Sequence, residues 1–303
     1  MSWKKMDMHV HSCFSVEPVP GVVGVSFQPK ETPEELYHRA KARGMDFVTI
    51  TDHDTIDGCL DFLERHPEVT DFVVGEEVST QLPKSGLTVH INVYGHNQEQ
   101  HRELQARRES AFDVVAYCRS QKLFFAWNHP FYRENMSTIQ EEEFMALLAQ
   151  VPVLEVRNGG RMQLLNVLAE ELAVRHAKGM QGGSDTHTGH IGSVYTAAPC
   201  NTLAGFFAAI RTGRSRVVGS HSTPRTFLLH NYLVGRRHVI REHLRKASSF
   251  SERTRLRLLA ALSLVLSPWI VRRHFRGQLE MAHIALASLG VFRSVFPPVL
   301  EAA

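Results

Sequence analysis

Seven places in this chain carry imidazoles or carboxylates where an apolar, β-rich run gives way to polar residues. They are His9-Val10-His11, Asp52-His53-Asp54, Glu76-Glu77, His90, His129-Pro130, Glu155 and Asp185-Thr186-His187. Nitrogen and carboxylate donors of this kind, gathered together, make a site for two or more hard-to-borderline divalent metals, the chemistry of a metal-dependent hydrolase. Spacing decides which of them can share an ion. His9 and His11 stand two apart on a strand and so face the same side. Asp185 and His187 repeat that spacing and can serve two neighbouring ions. Of Glu76 and Glu77, only one points inward if the strand runs on through Val78. Glu77 is the inward choice, as a carboxylate bridging two metals, with Glu76 turned outward or paired with Arg or Lys. His53 is the natural ligand of its run, with Asp52 orienting an imidazole through a hydrogen bond. His90 lies among apolar residues, where a satisfied core histidine is the competing reading. Glu155 reads equally as a ligand or as the partner of Arg157 or Arg161.

Such donors need a scaffold that brings strand ends to one place. Period-two alternation and β-rich runs predict strands at 6–10, 46–51, 71–75, 87–94, 123–127, 153–157 and 180–184. Between them lie helical stretches, one opened by Thr32-Pro33-Glu34-Glu35, with a Thr cap, Pro at the first helical position and acids in the first turn. Others are predicted at 57–65, 98–121, 137–149 (opened by Ser137), 162–178 and 202–212, before a short strand at 216–218. This rhythm predicts an α/β fold, a distorted barrel rather than an open doubly wound sheet, because only closure lets every strand end face one centre. The barrel is expected over 1–230. Residues 231–303 read as a basic helical extension.

The charge balance marks the same division. From Arg236 onward there are 12 Lys and Arg against 4 Asp and Glu, so the chain's net charge of +3 hides an acidic remainder. The apolar stretch from Leu258 to Val271 is about half the length a bilayer span needs, and Pro268 interrupts it. The extension is expected to pack on the barrel or in a homo-oligomer interface, with peripheral contact to anionic lipid or nucleic acid as the competing reading. Cys13, Cys59, Cys118 and Cys200 are widely spaced and read as reduced thiols, which fits a cytoplasmic location. The first ligand pair arrives by His9, so no signal peptide is expected.

Other chemistries lack their signatures. Ser184 and Ser220 sit in no G-x-S-x-G elbow, Cys13 has no activating arrangement, and neither a Walker loop nor a dinucleotide fingerprint is present. Gly182-Gly183 reads as a place where a strand end approaches the metals closely. Arg157, Asn158 and Arg161 follow a strand end and are candidates to clamp a substrate phosphate.

Taken in order, His9-Val10-His11, Thr51-Asp52-His53-Asp54-Thr55, Gly75-Glu76-Glu77, His90, His129-Pro130 and Ser184-Asp185-Thr186-His187 resemble the polymerase and histidinol phosphatase (PHP) family over about residues 5–220. The resemblance implies a distorted (β/α)7 barrel with three divalent ions of zinc, manganese or iron that cleaves phosphate esters. By position it implies a first ion on His9, His11, Glu77 and Asp185, and a second on Glu77, His90 and His129. The third would lie on His53, His187 and a ligand from the loop after His11. Family members often carry an S-D-G turn there; this chain reads Ser15-Val16-Glu17-Pro18, which makes Glu17 the substitute. The residues expected to carry the chemistry are Glu77, Asp185, His187 and Asp52, acting with a metal-activated hydroxide on a small phosphorylated metabolite or nucleotide. Two rival readings are exonucleolytic cleavage of short oligonucleotides and a non-catalytic accessory module.

Overall fold

In the computed structural model, residues 2–18, 26–132, 139–235, 249–251, 254, 269, 272–273, 275–280 and 282 are described. Six strands form the main sheet in chain order: β4 (Val48–Ile50), β5 (Phe72–Gln81), β6 (Thr88–Tyr94), β7 (Phe124–Asn128), β8 (Val153–Asn158) and β9 (Gly179–Gly183). The extended segment around His9 closes the ring between its two edges. Asp185 N donates to His9 O at 2.8 Å, His11 N to Thr186 O at 3.1 Å, and Thr51 N to Val10 O at 2.7 Å. The seventh stave of the distorted barrel is therefore a few backbone bonds rather than a full ladder.

Where the sequence suggests strand 6–10, the ladder strand β1 (Trp3–Met6) comes earlier. It pairs with β10 (Val194–Pro199), and β10 pairs with β11 (Arg216–Gly219), in a separate antiparallel sheet. A second correction concerns direction. β6 runs antiparallel to both β5 and β7, while the other neighbours are parallel. The cause is chain length: β5 continues to Gln81, leaving only residues 82–87 before β6. A tight turn suffices for an antiparallel pair, whereas a parallel crossover needs a dozen residues or more.

Helices cover the sheet. α1 (Pro33–Ala42) has the expected cap: Thr32 Oγ1 accepts from Glu35 N at 3.2 Å and Glu35 Oε2 from Thr32 N at 3.1 Å. α2 is Asp57–Arg65. The expected helix 98–121 is two, α3 (Gln98–Arg107) and α4 (Ala111–Ser120), because Ser110 caps a new start by accepting from Asp113 N. α5 (Glu141–Gln150), α6 (Gln163–Arg175), α7 (Leu203–Arg211) and α8 (Pro224–Gly235) follow. Ser137 lies outside the described residues, as do the side chains of Glu17 and Pro18, whose backbone pairs as β2 (Glu17–Pro18) with β3 (Ser26–Phe27).

The largest core packs α4, α5 and α6 against the sheet, with Trp127 4.6 Å from the Phe144 ring. Each such side chain, fully withdrawn from water, contributes about 1.5–3 kcal/mol. Ala282 is buried in the same core, and Gln278 Oε1 accepts the N–H of Met162 at 2.9 Å, so the described end of the basic region packs on the barrel. Residues 258–268 lie outside the described residues. Among the described residues no helix is long and apolar enough to cross a membrane.

Candidate metal centre

Alternation along residues 6–11 sends Met6, Met8 and Val10 into apolar cores and His9 and His11 to the other side. His9 Nδ1 lies 2.9 Å from Glu155 Oε1. An ionised carboxylate only accepts, so Nδ1 carries the proton and Nε2 presents a lone pair. That Nε2 is 3.1 Å from His11 Nε2, 2.9 Å from Glu77 Oε2 and 3.5 Å from Asp185 Oδ1. His11 Nε2 is in turn 3.2 Å from Glu77 Oε2 and 3.3 Å from Asp185 Oδ1. Donors about 2.0–2.2 Å from a tetrahedral ion stand roughly 3.3–3.6 Å apart. Lone pairs and carboxylates crowded this way repel one another unless a cation stands among them, so the residues fit a divalent metal.

The same crowding of carboxylates also favours a proton on His9, and Nε2 becomes a metal donor as that proton leaves. Burial would push His9 down, but Glu77, Asp185 and Glu155 around it hold it well above the usual imidazole range. Burial would likewise raise Glu77 and Asp185, yet the surrounding imidazoles, with Arg161 beside Asp185, hold both well below the usual carboxylate range.

Glu77 faces two ways, as a bridging carboxylate should. Its Oε1 lies 3.1 Å from His90 Nδ1 and 3.3 Å from His129 Nε2, and accepts from Asn128 Nδ2 at 2.8 Å. His90 reaches this point from the start of β6, not from a strand end, because β6 is reversed. The third group, His11, His53 and His187, brings its donor atoms within 4.8 Å of one another, with the rings of His11 and His187 stacked at 4.2 Å. His129 and Asp185 have φ of 27° and 50°, left-handed values that cost free energy and are held by the surrounding bonds.

Several expected roles fall differently. Both oxygens of Asp52 are taken by Ser12, from N at 2.6 Å and from Oγ at 2.6 Å, so Asp52 fixes the turn after His11 instead of orienting an imidazole. Glu155 is neither a ligand nor an arginine partner: beyond His9 it accepts from His129 N and from Asn158 Nδ2. Asn158 also donates to Asp185 Oδ2 at 3.0 Å and is spent inside this network. Arg157 turns away to Glu170 and the carbonyls of Val217 and Gly219. Arg161 alone of the three candidates lines the cavity, 3.3 Å from Asp185 Oδ2 and 3.6 Å above the Tyr132 ring. Glu76 points outward as expected, but its partners are His96, His101 and Gln105, not Arg or Lys.

The donors open onto a cavity of about 310 Å³ that Tyr132, Arg161, His190, His221, Thr226 and Phe227 also line. Tyr132, His190 and His221 escape the motif reading. Tyr132 had one signal, an aromatic in the turn after His129-Pro130, where its N–H donates to His129 O.

Residues 7–194 match the PHP domain family model. The chain belongs to the PHP family. No curated protein matches it. Solved structures that resemble it include a two-domain protein from Bacteroides vulgatus ATCC 8482 containing a "predicted PHP-like metal-dependent phosphoesterase", at 20% identity and TM-score 0.53 over 76% of this chain and 70% of that one. PsfC from Pseudomonas syringae PB-5123 matches at 18% identity and TM-score 0.53 over 77% of this chain and 98% of its own. At these identities the likeness is one of fold, and the PHP assignment rests on the family match.

Proposed function

We propose that this protein is a metal-dependent phosphoesterase acting on a small phosphorylated metabolite or nucleotide. The observation that carries the reading is the set formed by His9 Nε2, His11 Nε2, Glu77 Oε2 and Asp185 Oδ1, whose measured separations run from 2.9 to 3.5 Å. Three ions are proposed: one on that set, one on Glu77, His90 and His129, and one on His53 and His187 with Glu17 as a candidate addition. When bound, they supply positive charge to a phosphoryl group and lower the pKa of a water. The chain's own residues do the rest. Glu77 keeps two ligand sets in register by sharing its oxygens between them. Arg161, pinned by Asp185 and Tyr132, offers a fixed guanidinium to the remaining phosphoryl oxygens.

Metal content by plasma mass spectrometry, paired with phosphate release from a panel of monoesters, tests this. Two to three equivalents per chain and turnover that Asp185→Ala abolishes are expected. Full activity in metal-saturated Asp185→Ala protein would overturn the assignment.

A further inference from the structure

One imidazole of the cavity wall has its proton placed by its neighbours. Asn166, in the first turn of α6, is fixed by backbone bonds: its Oδ1 accepts Asn158 N–H at 3.0 Å and its Nδ2 donates to Asn158 O at 3.0 Å and, at the longer distance of 3.4 Å, to Arg161 O. Flipping the amide would set donor against donor, so its orientation is determined. The same Nδ2 lies 3.0 Å from His221 Nδ1 and can only donate to it. His221 Nδ1 is therefore the acceptor, the ring is neutral, and its proton sits on Nε2. Burial and nearby Arg157 hold this imidazole below its ordinary range, in keeping with a neutral ring.

The segment is also held in place. Ser222 N donates to Arg161 O at 2.9 Å and Ser222 bridges Met162, so His221 and Arg161 are fixed to one another. Arg161 adjoins the metal donors through Asp185, whereas His221 hangs on Asn166, and both line the same cavity. The metals and Arg161 already account for a phosphoryl group. His221, a neutral donor, lines the same cavity, as do Phe227 and Leu229, which can take carbon.

We infer that His221 is a specificity-determining residue whose Nε2–H receives an acceptor oxygen on the leaving group. The substrate class is then a phosphate ester whose alcohol bears a carboxylate or hydroxyl, rather than a bare alkyl or aryl ester. This rests on the phosphoesterase reading above.

The test uses the metal-loaded full chain and compares phenyl phosphate with the 2-, 3- and 4-carboxyphenyl phosphates in wild type, His221→Ala and His221→Gln. Comparing ratios between proteins cancels the intrinsic reactivity of each leaving group. Wild type is expected to favour at least one carboxylate isomer through a lower KM. His221→Ala should shrink that preference about tenfold to a hundredfold, the size of one hydrogen bond to a charged acceptor, and His221→Gln, which keeps a donor, should restore part of it. A preference unchanged in His221→Ala would overturn the inference. Nitrogen-15 NMR of the wild-type ring at neutral pH gives a readout that needs no turnover: a protonated Nδ1 also overturns it. Hydrolysis of none of the four esters would overturn this inference, and the phosphoesterase reading falls only if the wider monoester panel also releases no phosphate.

Discussion

Glu155 Oε1 lies 2.9 Å from His9 Nδ1, and the second oxygen of the same carboxylate accepts the backbone N–H of His129 at 3.0 Å. One side chain thus orients a donor of the first ligand set and the backbone of a donor of the second. Such partners hold a ligand imidazole in its tautomer and raise its basicity. Glu155→Gln keeps the shape and loses the charge. We expect metal affinity to fall about 10- to 100-fold with the far-ultraviolet circular dichroism unchanged, measured by competition with a chromophoric chelator. Unchanged affinity would show that the charge of Glu155 does not act on the ions.

Gly183 gives a steric prediction. A Cβ there would run into His9 N and Cβ, so only glycine lets β9 lie against the closing segment. Gly183→Ala should cost about 1–3 kcal/mol of stability as overpacking and should weaken metal binding through displaced His9. Urea melts read the first and metal content the second. A variant with normal melts and a full metal complement would show that the strand and the closing segment move apart freely.

The C-terminal region is expected to matter for stability. Gln278→Ala strands the Met162 N–H beside Arg161 and should cost about 1–3 kcal/mol in thermal or urea melts. Truncation after Tyr232 removes that bond and the packing of Ala282 and should cost more. Equal melting of the truncated and full chains would mean that residues 233–303 add nothing to the barrel.

The outer face of β5 predicts a pH response. The hydrogen bond to Glu76 raises His101 above the ordinary 6.5. Burial would raise Glu76, but bonds from His101 and His96 prevail and hold it below 4.5. The raised His101 contributes stability in full below pH 6.5 and loses it as pH climbs through its folded value. The lowered Glu76 contributes above pH 4.5 and loses it as pH falls through its own. Stability of the metal-loaded protein should therefore peak between these values and decline above, modestly because His101 is partly exposed. Melting temperatures across pH should flatten in Glu76→Gln; an identical profile in that variant would remove this pair as the cause.

The donors were readable in the sequence because a strand's period of two announces His9 with His11, and Glu77 inside against Glu76 outside, while Asp185 and His187 stand in the turn just past β9. What escaped was set by tertiary contact. The charged pair after Gly75 looked like a strand end, so the four further residues of β5 and the reversal of β6 were hidden. Asp52 and Glu155 carry the right chemistry in the right places, but only the fold shows Ser12 claiming one and His9 and His129 the other. Arg157 and Arg161 are indistinguishable by type, and a difference of four positions sends one to Glu170 and the other into the cavity. Tyr132, His190 and His221 come from turns and loops without periodicity.

Glu76 and Glu77 are chemically identical neighbours with opposite surroundings: one is gripped by His96, His101 and Gln105, the other by the imidazoles of the centre. A slip of β5 by a single residue could bring Glu76 to the centre and would then set Gly75 before the outer trio. The interior alone would accept either. The outer trio answers this ambiguity, since it clasps a carboxylate only when its neighbour faces the centre, and so acts as a check on strand alignment built from groups that never meet the substrate.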